Sequence, residues 1–115
     1  MATEIGHRVA DLADGIDSLG KTSFANQLRE VSYRISGILA EGSSCPTKPE
    51  FAVFVSHARG ATLEIANLII FFSERELISE EDESNLVNML KRESKMLDNF
   101  RQSLERAGKP DPVGA

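Results

Sequence analysis

Apolar residues recur at alternating spacings of four and three along most of the chain, which is the period of an amphipathic helix. The first such stretch covers about residues 3 to 19 and ends at Gly20. A second helix follows, which Thr22 or Ser23 can cap and which Gly42 stops. The apolar positions are Ile5, Val9, Leu12, Ile16 and Leu19 in the first helix and Phe24, Leu28, Val31, Ile35 and Ile38 in the second.

Two further helices are predicted after the loop 42–46, which is rich in turn-forming residues. Thr47 with Glu50 fits a capping box at the start of the third helix, and Ser79 with Asp82 resembles one at the start of the fourth. The expected core positions are Phe54, Val55, Ala58, Thr62, Ile65, Ile69 and Phe72 in the third helix and Leu86, Leu90, Leu97, Phe100 and Leu104 in the fourth.

Four amphipathic helices joined by short connections predict one all-α domain, an antiparallel up-down-up-down four-helix bundle over residues 1–107. The 115 residues fit one domain with one core. Residues 108–115 contain two prolines and few apolar side chains, so we expect a flexible C-terminal tail without a function.

The third helix carries a second apolar face, roughly opposite its core face, and a monomer would leave that face in water. On the second helix, an aromatic side chain and small residues also point away from the core. Both features predict a homo-oligomer, with the alternative that the chain's own tail or loops cover the second face. The expected interface residues are Tyr33, Gly37, Val53, Gly60, Leu63, Glu64, Ile70 and Phe71.

Glu64 lies at the flank of this second face, where an oligomer would enclose it. An enclosed carboxylate needs a partner, and Arg29, Arg34 and Arg59 are the candidates within or between subunits. We prefer this structural pairing to an acid–base role for Glu64.

The net charge of −5, from 13 basic and 18 acidic side chains, disfavours nucleic-acid binding, although a local basic patch stays open. The candidate contacts for such a patch are Arg29, Arg34, Arg59, Lys91, Arg92 and Lys95. A single cysteine and the lack of a secretory signal pattern predict a cytoplasmic protein, and no apolar run is long enough for a membrane span.

Candidate catalytic chemistry is sparse. A carboxylate-bridged di-metal site in a four-helix bundle needs two Glu-x-x-His pairs, and only Glu4 with His7 matches, because Phe54 precedes His57 at that spacing. Cys45 has no basic group clearly placed to activate it. Glycine-rich phosphate loops are also absent. We therefore expect no enzymatic activity, no metal and no cofactor.

From Phe24 to about Leu104 the chain resembles the four-helix-bundle family that includes proteins encoded in bacterial 23S ribosomal-RNA intervening sequences. The resemblance lies in the joint order of three short motifs. They are Asn26-Gln27-Leu28-Arg29, then Ile38-Leu39-Ala40-Glu41-Gly42, then Phe51 followed by Ala58-Arg59-Gly60-Ala61-Thr62-Leu63-Glu64.

This resemblance implies a homo-oligomeric bundle, with pentamers seen in the family, and no established enzymatic activity. Relatives include basic accessory proteins of diversity-generating retroelements, which associate with nucleic acid and a reverse transcriptase. The first hypothesis is therefore a non-enzymatic pentamer that acts as a scaffold or adaptor for an unidentified protein partner. The alternatives are a nucleic-acid-binding accessory factor and, third, a metal-dependent enzyme.

Overall fold

Four α-helices account for nearly all of the described chain. The computed structural model describes the backbone of residues 2–108 and the side chains of residues 4–108. Within this range the helices are α1 (Ala2–Ser18), α2 (Thr22–Ser43), α3 (Lys48–Glu74) and α4 (Glu80–Ala107), with no strand. The all-α class and the four helical stretches are confirmed. Of the predicted tail, all but Gly108 lies outside the described residues.

Two of the predicted helix starts are confirmed by their caps. The Thr47 side chain accepts a hydrogen bond from the backbone N–H of Glu50 at 3.3 Å. Ser79 accepts one from the backbone N–H of Asp82 at 3.1 Å. Each bond satisfies one of the N–H groups that a helix start leaves without a partner.

The predicted start and end of α2 were both wrong in detail. Lys21 occupies the cap position and makes no side-chain cap, because its ammonium group has no acceptor for a backbone N–H. The Thr22 hydroxyl donates to Asp17 of α1. At the other end the helix continues through Gly42 to Ser43. Gly42 is therefore not a stop signal, and its role is to let α2 and α3 come close together.

The helices pack in chain order as an up-down-up-down bundle. Connections of three, four and five residues force each helix to run antiparallel to the one before it. The contacts between α3 and α4 are the most extensive, while α1 and α4 touch only marginally. No described helix is both long enough and apolar enough to cross a membrane.

The core has two parts because α1, with 17 residues, is much shorter than α3 and α4. In the first part all four helices meet around Phe72, Leu28 and Val9, and the Phe24 ring packs edge-on against Phe72. In the second part α4 packs on the start of α3 and the end of α2 beyond the reach of α1. The buried residues of this second part are Ala52, Val55, Ala58, Leu97 and Leu104.

Two expected core residues are exposed. Leu19 lies beyond the last residue of α1, so its side chain leaves the apolar face of that helix. Phe100 lies beside the second part of the core, and its ring packs edge-on against Phe51 at 5.3 Å. Ser94 is buried, although its type did not suggest a core position.

Candidate functional site

The outward face of α3 is a regular stripe. Its positions alternate in spacing by three and four residues, which is the spacing of a coiled-coil seam. The stripe consists of Val53, Ser56, Gly60, Leu63, Asn67, Ile70 and Glu74. Within it Val53, Leu63 and Ile70 keep 54%, 41% and 38% of their surface exposed. We call these seven residues the α3 stripe.

The centre of the α3 stripe carries no side chain, because residue 60 is a glycine. A Cβ atom built on Gly60 meets no other atom within 4 Å, so the backbone itself forms the surface there. Such a position lets a neighbouring helix approach closely. Asn67 is exposed between Leu63 and Ile70, and a polar residue at a seam position sets the register of a helix pair at some cost in stability.

An exposed aromatic residue extends the stripe at its C-terminal end. Phe71 lies one residue after Ile70 and is exposed, and the Arg75 guanidinium stands over its ring at 6.0 Å. The same guanidinium lies 5.7 Å from the ring of Phe24 on α2. Arg75 therefore holds Phe71 close to the start of α2.

Glu64 has its partner within the chain. Arg34 Nη2 donates to Glu64 Oε2 at 2.6 Å across the groove between α2 and α3, and both side chains are about half exposed. An ion pair in this setting contributes about 0–1 kcal/mol. Arg34 is thus the one of the three candidate arginines that pairs with Glu64.

Tyr33 and Gly37 do not lie on the same surface as the α3 stripe. Tyr33 is 71% exposed, and together with His7 it lines a cavity on the side of α2 that faces α1. The next residue, Arg34, faces α3. Of the eight expected interface residues, Glu64 belongs to the Arg34–Glu64 pair, and the other seven form two surfaces on either side of this pair.

Arg29 pairs with α1 and not with Glu64. Its guanidinium donates to Asp14 Oδ1 at 2.6 Å and to Asp17 Oδ2 at 3.0 Å. The Thr22 hydroxyl bond and then the Arg29 guanidinium lower the pKa of Asp17 below its ordinary value. The charge of Arg29 is thereby largely neutralised by two carboxylates, which leaves it a weak candidate for a phosphate contact.

The six basic candidates do not form one patch. Lys91, Arg92 and Lys95 share the outer face of α4 and are exposed. Arg59 extends from α3 toward Asp98, whose pKa is lowered mainly by its hydrogen bonds from Arg101 and to a small extent by the charge of Arg59. The structure therefore gathers only the three α4 residues. We call them the α4 basic cluster.

A cavity of about 360 Å³ lies where α1 begins, between that helix and the middle of the bundle. The sequence pattern does not predict this cavity. All four helices contribute to its wall, and the lining residues are Ile5, Gly6, His7, Ala10, Ser32, Tyr33, Ile35, Ser36, Leu39, Thr62, Ile65, Leu90 and Glu93. Two features of the sequence could have indicated this cavity. The first helix is short, and the acidic Glu93 follows the core residue Leu90 by three positions, which places it on the inner side of α4.

The other groups considered for catalysis lie apart. Glu4 lies 3.8 Å from Arg8, and the His57 ring lies beside that of Phe54. The Cys45 thiol is half-buried and donates to the Glu41 carbonyl at 3.7 Å. Across the described residues, no three His, Cys, Asp or Glu side chains come together as metal ligands could.

Comparison with known proteins gives one match. A family model described as 23S rRNA-intervening sequence protein matches residues 1–99. No curated protein and no solved structure matches the chain.

Proposed function

We propose that this chain, which belongs to the family of 23S rRNA-intervening sequence proteins, is a non-enzymatic subunit of a homo-oligomeric ring. In this proposal the ring is a pentamer and acts in the cytoplasm as a scaffold or adaptor for a protein partner. Five is the number that the resemblance to the family implies.

The α3 stripe is the observation that carries the proposal. The opposite side of α3 is fully used by the core, from Val55 to Phe72. An apolar face with seam spacing on the remaining side is typical of a helix that packs against another chain. The stripe's apolar residues lie on a formed helix, so association orders side chains but no backbone there.

The free energy gained by burying the α3 stripe indicates what kind of surface must pack against it. Covering one large apolar side chain fully is worth about 1.5–3 kcal/mol. The three apolar residues of the α3 stripe and the adjoining Phe71 are already about half covered, so together they supply about 3–6 kcal/mol. Association costs about 4–15 kcal/mol in lost motion and ordering. The α3 stripe therefore needs a partner surface that buries apolar area of its own.

Tyr33 and Gly37 offer such a surface on a different side of the bundle. An aromatic side chain beside a glycine forms a recess in which a row of apolar side chains from another subunit can pack. When two unlike surfaces of one subunit meet, the contact is head-to-tail, and repeated contacts form a ring where the rotation between neighbours closes and an open filament where it does not. This separation favours a ring over a two-fold dimer, which would use one surface against itself.

Light scattering coupled to size-exclusion chromatography tests the proposal. Five copies of the 12.6-kDa chain give a mass of about 63 kDa, and we expect the Leu63→Lys variant to elute at the mass of the monomer. Met96→Lys is the matched control because Met96 is half exposed on α4, and each substitution lies four residues after an arginine. Circular dichroism checks that both variants are folded.

A wild-type mass of 12.6 kDa at micromolar concentration would contradict the proposal. Equal dissociation by Leu63→Lys and Met96→Lys would also contradict it, because the α3 stripe would then not be the contact. A wild-type dimer would keep the stripe but exclude the ring.

The α4 basic cluster favours a second candidate function, binding of nucleic acid by the assembled oligomer. Three exposed cations on one helix face are few for one subunit, but a ring would repeat them. With single-stranded RNA, three phosphate contacts from one subunit predict a loss of affinity of about 20-fold between 50 and 200 mM salt, and contacts from further subunits make the loss larger. Fluorescence anisotropy of a labelled RNA measures this slope, and substituting Lys91, Arg92 and Lys95 by serine should abolish it, whereas Lys48→Ser should not. No binding at 50 mM salt excludes this candidate.

A further inference from the structure

The cavity at the start of α1 has the size and the lining of a small-molecule site. At about 360 Å³ it falls within the range of ligand pockets, which is about 300–1,000 Å³. At about 30 Å³ for a water-sized group, it has room for on the order of ten such groups. It therefore fits a small ligand and not a helix.

Most of the cavity wall is apolar, and the polar groups are unevenly placed. Ile65 and Leu90 are buried in the core behind it, and Ile35 and Leu39 contribute from α2. The Thr62 hydroxyl is already committed, since it donates to the Ala58 carbonyl at 2.9 Å. The wall therefore offers an apolar surface for contact, and His7, Ser32 and Ser36 add polar groups from α1 and α2.

Glu93 is the acidic residue in this wall. Its Oε2 atom is buried and has no hydrogen-bond partner among the described residues, and no described basic side chain forms an ion pair with it. A buried carboxylate oxygen without a partner is unfavourable, and native proteins nearly always supply a partner. Glu93 also lines the cavity, so a cationic donor placed there can pair with its carboxylate when the side chain turns toward the donor.

We propose that this cavity binds a small organic amine, with the ammonium group on Glu93 and an apolar body against Ile65 and Leu90. Tyr33, which is largely exposed and lines the same cavity, lies at its opening. The site lies on the α1 side of the bundle, away from the α3 stripe. Every lining residue belongs to one subunit, so the cavity is complete without the proposed ring, although Tyr33 at its opening also belongs to the surface proposed for the ring contact.

Gly6 provides a way to block the site without disturbing the core. It lines the cavity, and a Cβ built on it meets nothing within 4 Å. A Gly6→Leu variant places a side chain in this open space and replaces a poor helix former by a good one. We expect this variant to keep or raise the melting temperature while it loses ligand binding.

The test uses three probes with a phenyl ring and different head groups, which are 2-phenylethylamine, 2-phenylethanol and 3-phenylpropanoate. Titrations at neutral pH are followed through the methyl resonances of Ile5, Ile65 and Leu90. We expect the amine to shift these methyls and to bind at least about tenfold more tightly than the other two, because only it can make a charge-assisted hydrogen bond to Glu93.

Two variants and a control decide the outcome. Glu93→Gln should weaken amine binding about tenfold, and Gly6→Leu should abolish it. Glu30→Gln removes the same charge from an exposed position of α2 and should change nothing. If the three probes bind equally, if Glu93→Gln binds the amine as wild type does, or if no methyl shifts at millimolar amine, the proposal is overturned.

Discussion

Gly42 offers a sharp test of the packing, because α2 and α3 are in close contact at this residue. A Cβ added there would lie 2.7 Å from Phe54 Cβ and 2.8 Å from Phe51 Cδ1. Carbon atoms in contact normally lie about 3.5–4.0 Å apart. The Phe54 Cβ is fixed to the α3 backbone and cannot rotate away. The Gly42→Ala variant must therefore push the two helices apart.

The expected magnitude combines two opposing terms. Overpacking of this kind costs about 1–3 kcal/mol. Replacing glycine by alanine inside a helix returns about 1 kcal/mol. Gly15→Ala is the matched control because a Cβ at Gly15 meets nothing within 4 Å, so only the favourable term applies. We expect the two variants to differ in free energy of unfolding by about 1–3 kcal/mol, with Gly42→Ala the less stable.

Urea denaturation followed by helical circular dichroism measures this difference. With a slope of about 1.5 kcal/mol/M, a difference of about 2 kcal/mol separates the midpoints by somewhat more than 1 M. Measurements at two protein concentrations separate the unfolding of the chain from dissociation of an oligomer. If both alanine variants raise the midpoint equally, Gly42 is not at a close helix contact and the reasoning is refuted.

Three further outcomes follow from the caps, the core and the ion pairs. Ser79→Ala should cost about 1 kcal/mol, because the Asp82 N–H loses its partner, and urea midpoints at pH 7 measure it. Phe72→Ala should cost about 3–5 kcal/mol, since this ring is fully buried, and a loss below 1 kcal/mol would contradict its core position. The lowered pKa of Asp17 means that its stabilising effect is present above the unfolded value of about 3.9 and is lost as the pH falls through the folded pKa. Asp17→Asn should therefore be less stable than wild type at pH 7, and the melting temperatures of the two should converge near pH 2.

Local signals in the sequence predicted the secondary structure well. The helices were predictable because apolar spacing and caps act over a few residues, as Thr47 and Ser79 illustrate. The second face of α3 was also visible from spacing alone, since Val53, Leu63 and Ile70 repeat on one side of a helix. Errors arose where a local signal had two meanings, as at Gly42, where a glycine permits close packing as well as ending a helix.

The candidate sites were less predictable, because they depend on which helices lie side by side. Choosing Arg34 and not Arg29 as the partner of Glu64 requires the relative rotation of α2 and α3. Separating Tyr33 from the α3 stripe requires knowing which side of α2 faces α1. Neither the relative rotation of two helices nor the side of α2 that faces α1 can be derived from one helix taken alone.

The sequence by itself determined four amphipathic helices, their order, and a third helix with more apolar surface than one core can cover. Only the tertiary structure decided that α1 stops short of the second half of the core and leaves a cavity beside Glu93. The physical reason is that helix formation depends on neighbours a few residues apart. The cavity and the ion pairs depend instead on how far each helix extends along the others, and that extent is set by the packing of side chains distant in the chain.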